Sequence, residues 1–303
     1  MTCDSCSARI QSTAACWLPF FVKAFQFTTD KIVRRLIGIA VGAVLLDSIV
    51  TLFSRSAHFS PMRGGLVFLL DGSISIAAVF LFAFAVPRMP ALAGLFALIF
   101  THYFRASNLL LYQWSLDWVT LVYGATLAVL VALWVVPPAD TVGDIRRPRD
   151  VGFGPDRIFR RLCWLMVAAW IFDKANTLLG QPATYWNHPE TANEGYQLDR
   201  FFMVRGVFVY TLYQLTFVSG FSLFLSRLPR WMGVSGALFQ IICSYFGAST
   251  WLYYHWHLGV AGPIVYGTIL SLLLASLAFP GRRRNTAVPI LQRCPKAFRW
   301  ACS

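Results

Sequence analysis

The chain has 303 residues, of which 57% are hydrophobic and only 13% charged, with a formal net charge of +13. A water-exposed surface of that size needs a charged fraction nearer a quarter, so the composition excludes an ordinary soluble domain and points to an all-α integral membrane protein. In that setting the basic excess is topology information rather than a nucleic-acid footprint, and no nucleic-acid partner is expected.

In chain order, residues 1–31 read as an N-terminal tail with Cys3, Cys6 and Cys16, polar over 1–16, and no cleavable secretory signal is expected. Eight apolar blocks follow, at approximately 33–53, 65–86, 91–112, 115–137, 159–180, 203–225, 231–252 and 258–279. Each matches the roughly 20 helical residues needed to cross a hydrocarbon core. Arg88-Met-Pro90 and Arg227-Leu-Pro229 are tight breaks, and Pro137-Pro138 and Pro280-Gly281 end the fourth and eighth blocks. A basic linker covers 139–157, and a basic tail with Cys294 and Cys302 covers 281–303.

The blocks form an internal repeat, 32–138 and 158–280. IVRRLIGIAVGAVLLDSIVTLF at 32–53 and IFRRLCWLMVAAWIFDKANTLL at 158–179 share nine of 22 positions, with Arg34/Arg160, Arg35/Arg161, Asp47/Asp173 and Thr51/Thr177 aligned. YFRASNLLLYQWSL at 103–116 and YFGASTWLYYHWHL at 245–258 share eight of 14. Apolar bias alone aligns Leu, Val and Ala; it does not place Arg-Arg, Asp, Thr, Tyr-Phe and Ala-Ser in one order. Four crossings per copy give both copies the same orientation, so the repeats are parallel.

With the N-terminus in the cytoplasm, twenty of the 26 Lys and Arg residues fall on the inner side. Both termini are therefore expected in the cytoplasm of a bacterial-type cytoplasmic membrane. The basic inner segments are suited to anionic lipid.

On this topology the intramembrane charges gather near the outer face. Asp47, Asp71, His102, Arg105, Asp117, Asp173 and Lys174 would line a polar pocket open to the outside, because an ionised side chain at membrane depth needs a partner or a wet cavity. Interfacial snorkelling or structural ion pairs are the plainer reading for Arg105, Asp117, His255 and His257. Asp47 and Asp173 stand out because each is followed by Thr at i+4.

Lys174 replaces Ser48 of the first copy and reads as a lysine snorkelling outward or, the sharper alternative, as a desolvated candidate base; its neighbour Asp173 points about 100° away around the helix, so the two need not pair. Trp251, Tyr253, Tyr254, Trp256, Tyr112 and Trp114 read as an interfacial belt. The 181–202 loop, longer than its counterpart, carries His188, Glu190, Glu194 and Asp199 and suits a lid. Neither its spacing nor the tail cysteines give a diagnostic metal signature, and no metal is expected.

Arg35-Leu36, Leu45-Leu46-Asp47, Arg55, His58-Phe59 and Gly64 resemble the opening of the HTTM (horizontally transferred transmembrane) family, which includes the membrane part of vitamin K-dependent γ-glutamyl carboxylases. His102-Tyr103-Phe104-Arg105-Ala106-Ser107-Asn108, with Asp117 and Pro137, is similar to a later family segment, and Ser244-Tyr245-Phe246 to a carboxylase stretch. The resemblance implies a base at Lys174. The four-helix unit is also similar to DoxX-like proteins, which implies association with quinones.

Three functions follow as expectations: a binder of a small amphipathic ligand (quinone or lipid) in the outward pocket, a carboxylase-like enzyme using Lys174, or a small-solute transporter. The identity of any cofactor and the oligomeric state stay open.

Overall fold

The computed structural model describes residues 30–55, 72–82, 86–136 and 157–278, and among these the chain is helical with no strand. The helices are α1 (Lys31–Arg55), α2 (Gly72–Phe82), α3 (Arg88–Tyr112), α4 (Asp117–Leu130), α5 (Arg157–Leu179), α6 (Gln197–Met203), α7 (Val207–Arg227), α8 (Arg230–Thr250) and α9 (Ala261–Ala278). A π-helical turn extends α4 over Val131–Val135 and another extends α8 over Trp251–His255.

Among the described residues, six helices are long and apolar enough to cross a membrane: α1, α3, α4, α5, α7 and α8. The described part of α2 and the whole of α9 are shorter apolar helices at two of the eight expected positions. The tails, most of the 139–157 linker, Asp71, His58-Phe59 and Gly64 lie outside the described residues.

Local chemistry accounts for the helix ends. Asp30 Oδ1 accepts from the free amides of Ile32 at 2.8 Å and Val33 at 3.4 Å, starting α1. Its other oxygen takes Arg88 Nε at 2.6 Å, tying the first turns of α1 and α3 together. Pro87 and Pro229 cap α3 and α8. Pro90 does not break the chain as the Arg88-Met-Pro90 motif suggested: it sits inside the first turn of α3, where its missing N–H has no intrahelical acceptor to satisfy. The expected 203–225 helix starts at Val207, because Gly206 (φ 104°) turns the chain between α6 and α7.

The helices pair in a regular scheme. α1 lies on α3 and α5 lies on α8; α3 then packs on α9, and α4 on α8. Arg35 Nη1 donates to Trp134 O, joining the start of α1 to the end of α4, and Arg161 Nη1 donates to Leu277 O, joining the start of α5 to the end of α9. Tyr103 stacks at 5.2 Å on Tyr123 and Tyr245 at 5.6 Å on Tyr266. The Tyr103 hydroxyl reaches Thr120 O at 3.5 Å, and the Tyr245 hydroxyl Pro263 O at 3.2 Å.

These contacts sort the helix ends. One end of the bundle holds the starts of α1, α3, α5 and α8, with Lys31, Arg34, Arg35, Arg88, Arg157, Arg160, Arg161, Arg227 and Arg230. The other holds the ends of α1, α3, α5 and α8 and the 180–206 segment; there Tyr112 meets Tyr254 at 5.5 Å.

The outer faces stay apolar. Leu45, Ile49, Leu52 and Phe53 on α1, and Phe208, Leu212, Leu215, Leu223 and Phe224 on α7, are exposed. Faces of this extent suit hydrocarbon rather than water.

Close approach depends on small residues. A Cβ at Gly233 would meet Leu225 O at 2.8 Å and the Phe159 ring at 3.0 Å, where α7, α5 and α8 converge. A Cβ at Gly220 in α7 would meet nothing within 4 Å. Gly233→Ala should therefore destabilise by roughly 1–3 kcal/mol through overpacking. Gly220→Ala should stabilise by up to about 1 kcal/mol through helix propensity. Thermal unfolding of the two variants in one detergent checks the contrast.

Candidate functional site

The intramembrane charges form two groups, one in each half. In the first, Asp47 of α1 is 1% exposed. His102 Nδ1 from α3 lies 2.7 Å from its Oδ2, Arg105 Nε lies 3.5 Å from the same oxygen, and Thr51 Oγ1 donates to Oδ1 at 3.3 Å. Opposite a carboxylate, the facing ring nitrogen of His102 is the donor. Residues one helical turn apart on α3 thus converge on one acid, which pins α1 to α3.

The second group starts from the equivalent acid, Asp173 of α5, and solves the same problem differently. Positions 102 and 105 correspond to Ser244 and Gly247, so α8 offers no cation. A Cβ at Gly247 would collide with Asp173 Oδ1; the missing side chain is what admits the carboxylate there. The counter-charge comes from the acid's own helix. Lys174 Nζ lies 3.3 Å from Asp173 Oδ2 and donates to Asp199 Oδ2 at 2.7 Å. The expectation that Asp173 and Lys174 need not pair is corrected: the four-carbon stem of lysine spans the 100° offset between neighbours. Thr177 differs from Thr51 too, since its hydroxyl donates to the Asp173 carbonyl rather than to the carboxylate.

Asp199 belongs to the segment between α5 and α7, which folds as a cap. Short 3₁₀ turns at Ala183–Trp186 and Pro189–Thr191 lead into α6. Tyr185, Ala192, Met203 and Tyr210 bury one another in a small core of their own. Gln181 clips the cap to the end of α5: its Nε2 donates to Thr177 O and Asn193 O, and its Oε1 accepts from Asn193 N at 2.7 Å. From α7, Gln214 Nε2 donates to Asp199 Oδ1 at 2.8 Å. The lysine is therefore tied to this folded segment through Asp199.

One group at this site remains unmatched, and a second is perturbed by burial. Tyr210 of α7 is 1% exposed, and its hydroxyl makes no hydrogen bond among the described residues. Lys174, Asp199, Asp173 and Glu194 all act on it electrostatically. Glu194 of the cap is pushed above the usual carboxylate range, first by burial and then by Asp199 and Asp173, against the pull of Lys174 and its bond from Tyr196 N.

The other candidates are placed as follows. Asp117 is exposed at the first residue of α4, where a negative charge complements the helix N-terminus. His255 and His257 are exposed at the far end of α8, and His188 pairs with exposed Glu190 at 3.2 Å. Asp71 lies outside the described residues. Among those described, no cluster of three His, Cys, Asp or Glu side chains could hold a metal ion. Gln214 and Tyr210 are the members that sequence reasoning did not single out, and Asp199 was read only as one of four polar residues of the 181–202 loop. Asp199 had no partner at helical spacing, and Gln214 and Tyr210 sit inside an apolar run.

No family model matches the chain, and no curated protein or solved structure matches it.

Lys174→Met leaves Asp173 and Asp199 facing each other without their ammonium, and should destabilise by roughly 3–5 kcal/mol. Adding Asp199→Asn removes one orphaned charge, so the double variant should lose less than the sum of the two single losses. Equal, additive losses in thermal unfolding would show the pair to be uncoupled.

Glu194 gives a pH signature. Its raised folded-state pKa means that its contribution to stability is complete below the ordinary value of 4.5 and is lost as pH rises through the raised value. Unfolding temperature should fall across that window in the native chain and flatten in Glu194→Gln.

Proposed function

We propose that the chain is an eight-helix membrane protein built from two parallel four-helix repeats, 32–138 and 158–280, and that the second repeat binds a small amphipathic ligand, a quinone or a lipid. The matched helix pairings support the duplication, as do the two tyrosines, Tyr103 and Tyr245, that reach corresponding carbonyls on α4 and α9. The basic residues at the starts of α1, α3, α5 and α8 support a cytoplasmic placement of that end, with both termini inside a bacterial-type cytoplasmic membrane. Asp173, Lys174 and the cap then face outward.

One observation carries the binding reading: the buried Lys174–Asp199–Gln214 cluster under the 180–206 cap keeps a fully buried tyrosine hydroxyl, Tyr210, without a partner. Buried polar groups are normally satisfied, and an exception needs an explanation. A ligand head group entering beside Tyr210 supplies the missing hydrogen bond. Its apolar tail would lie along the exposed flank of α7. In the first half Asp47 is instead held by His102 and Arg105.

The HTTM likeness supports a second reading, in which Lys174 is the base of a membrane enzyme. The specific observation in its favour is that one ammonium is held in a fixed position by Asp199 and Asp173. As a base it first has to pass a proton to its surroundings and leave Asp199.

Mass spectrometry of the protein extracted gently from native membranes tests the binding reading. An amphipathic molecule should co-purify at about one per chain and be lost in Tyr210→Phe, a stoichiometry that a buried, single-site head group demands. Preparations that are repeatedly empty, with the native fold intact, contradict it. Turnover of a bound quinol or lipid that stops in Lys174→Arg would favour the enzyme.

A further inference from the structure

Charge at the capped site is unbalanced. Asp173 and Asp199 are each 6% exposed and share a single ammonium, that of Lys174, while half-buried Glu194 lies within electrostatic range of both acids and of the lysine. In the first half Asp47 instead meets both His102 and Arg105. Near hydrocarbon, an uncompensated carboxylate is strongly unfavourable. A second positive charge is the simplest way to relieve it.

The kind of cation is narrowed by what surrounds the acids. No three metal-ligating side chains converge among the described residues, so the carboxylates are too dispersed for a metal ion. Aromatic rings line the adjacent approach. Tyr112 is within electrostatic range of Glu194 and packs edge-on against Tyr254, and Trp251 presses on Gly180 at the base of the cap. Dispersed acids, aromatic faces and a buried hydroxyl together recognise an organic ammonium, whose charge is spread and whose N–H groups or methyls contact rings. An anionic head group, phosphate included, is repelled by the same acids.

We infer that the ligand of the second repeat is an amphiphile with a positively charged amine head, seated among Glu194, Asp199 and the Tyr210 hydroxyl. The inference rests on the binding reading above and specifies its ligand class. The head complements the lysine rather than replacing it: Lys174 holds Asp173 and one oxygen of Asp199, and the ligand neutralises Glu194 and donates to Tyr210. Binding then favours the ionised form of Glu194, so affinity increases as pH rises through the raised pKa of that group.

The test uses the full chain in nanodiscs of neutral lipid and three probes of one tail length: dodecylamine, dodecanol and dodecyl phosphate, with decylubiquinone as a fourth. Native mass spectrometry counts bound copies and gives Kd. Dodecylamine should bind once per chain and about ten-fold or more tighter than the alcohol or phosphate, and Glu194→Gln and Tyr210→Phe should each erase most of that preference. Circular dichroism and unfolding temperature establish that both variants fold. If the alcohol or the quinone binds once per chain as tightly as the amine and ignores Glu194→Gln, the charged-head inference falls while the amphiphile site stands. If no probe saturates, the site and the inference fall together.

Discussion

An acid placed at membrane depth has to find its counter-charge inside the protein, and that constraint organises both halves of this chain. Asp47 and Asp173 occupy corresponding positions on α1 and α5 and are almost wholly buried. Their burial leaves compensation to the neighbouring side chains. In the first half the partners come from the facing helix, His102 and Arg105, and the result is a closed clasp between α1 and α3. In the second half the facing helix supplies Ser244 and Gly247, and the neutralising charge comes from Lys174 on the acid's own helix. That change frees one end of the lysine to reach outward to Asp199, which brings the cap into the network.

The same comparison explains why function is assigned to one half. Asp47 is held from the facing helix by both His102 and Arg105. The capped cluster keeps an unmatched hydroxyl, an excess of negative charge and an aromatic flank. Around these differences the scaffold is constant. Tyr103 and Tyr245 pack on Tyr123 and Tyr266, their hydroxyls resting over Gly124 and Gly267, so that the third helix of each half interlocks with the fourth helix of its own half or of the other. On the proposed duplication, divergence at the acids on a shared scaffold would give one half to architecture and the other to the proposed site.

Much of the architecture was legible because membrane helices announce themselves by length and apolarity, and because polar identities such as Arg34-Arg35/Arg160-Arg161 and Asp47/Asp173 stand out against an apolar background. His102 and Arg105 were legible as companions of Asp47 for the same reason. The second site was only half legible. Angular offset suggested that Asp173 and Lys174 diverge, but a long flexible side chain is governed by where its charge can be neutralised rather than by where its Cβ points. Asp199 lies in a loop without helical spacing, and its role depends on α6 and the small core around Tyr185 and Met203, which sequence periodicity does not reveal. Gln214 and Tyr210 are scattered polar residues in an apolar helix, recognisable only once Asp199 is seen beside them.

The central claim is that both acid-bearing ends open on one face of the membrane, opposite the basic ends. Single cysteines at Trp114→Cys, Glu190→Cys and Leu228→Cys, placed in a chain whose seven native cysteines are serine, can be probed in intact cells with a membrane-impermeant thiol reagent. The account predicts labelling at 114 and 190 from outside and protection at 228 until the membrane is broken. Labelling of 114 and 190 from opposite sides would contradict it.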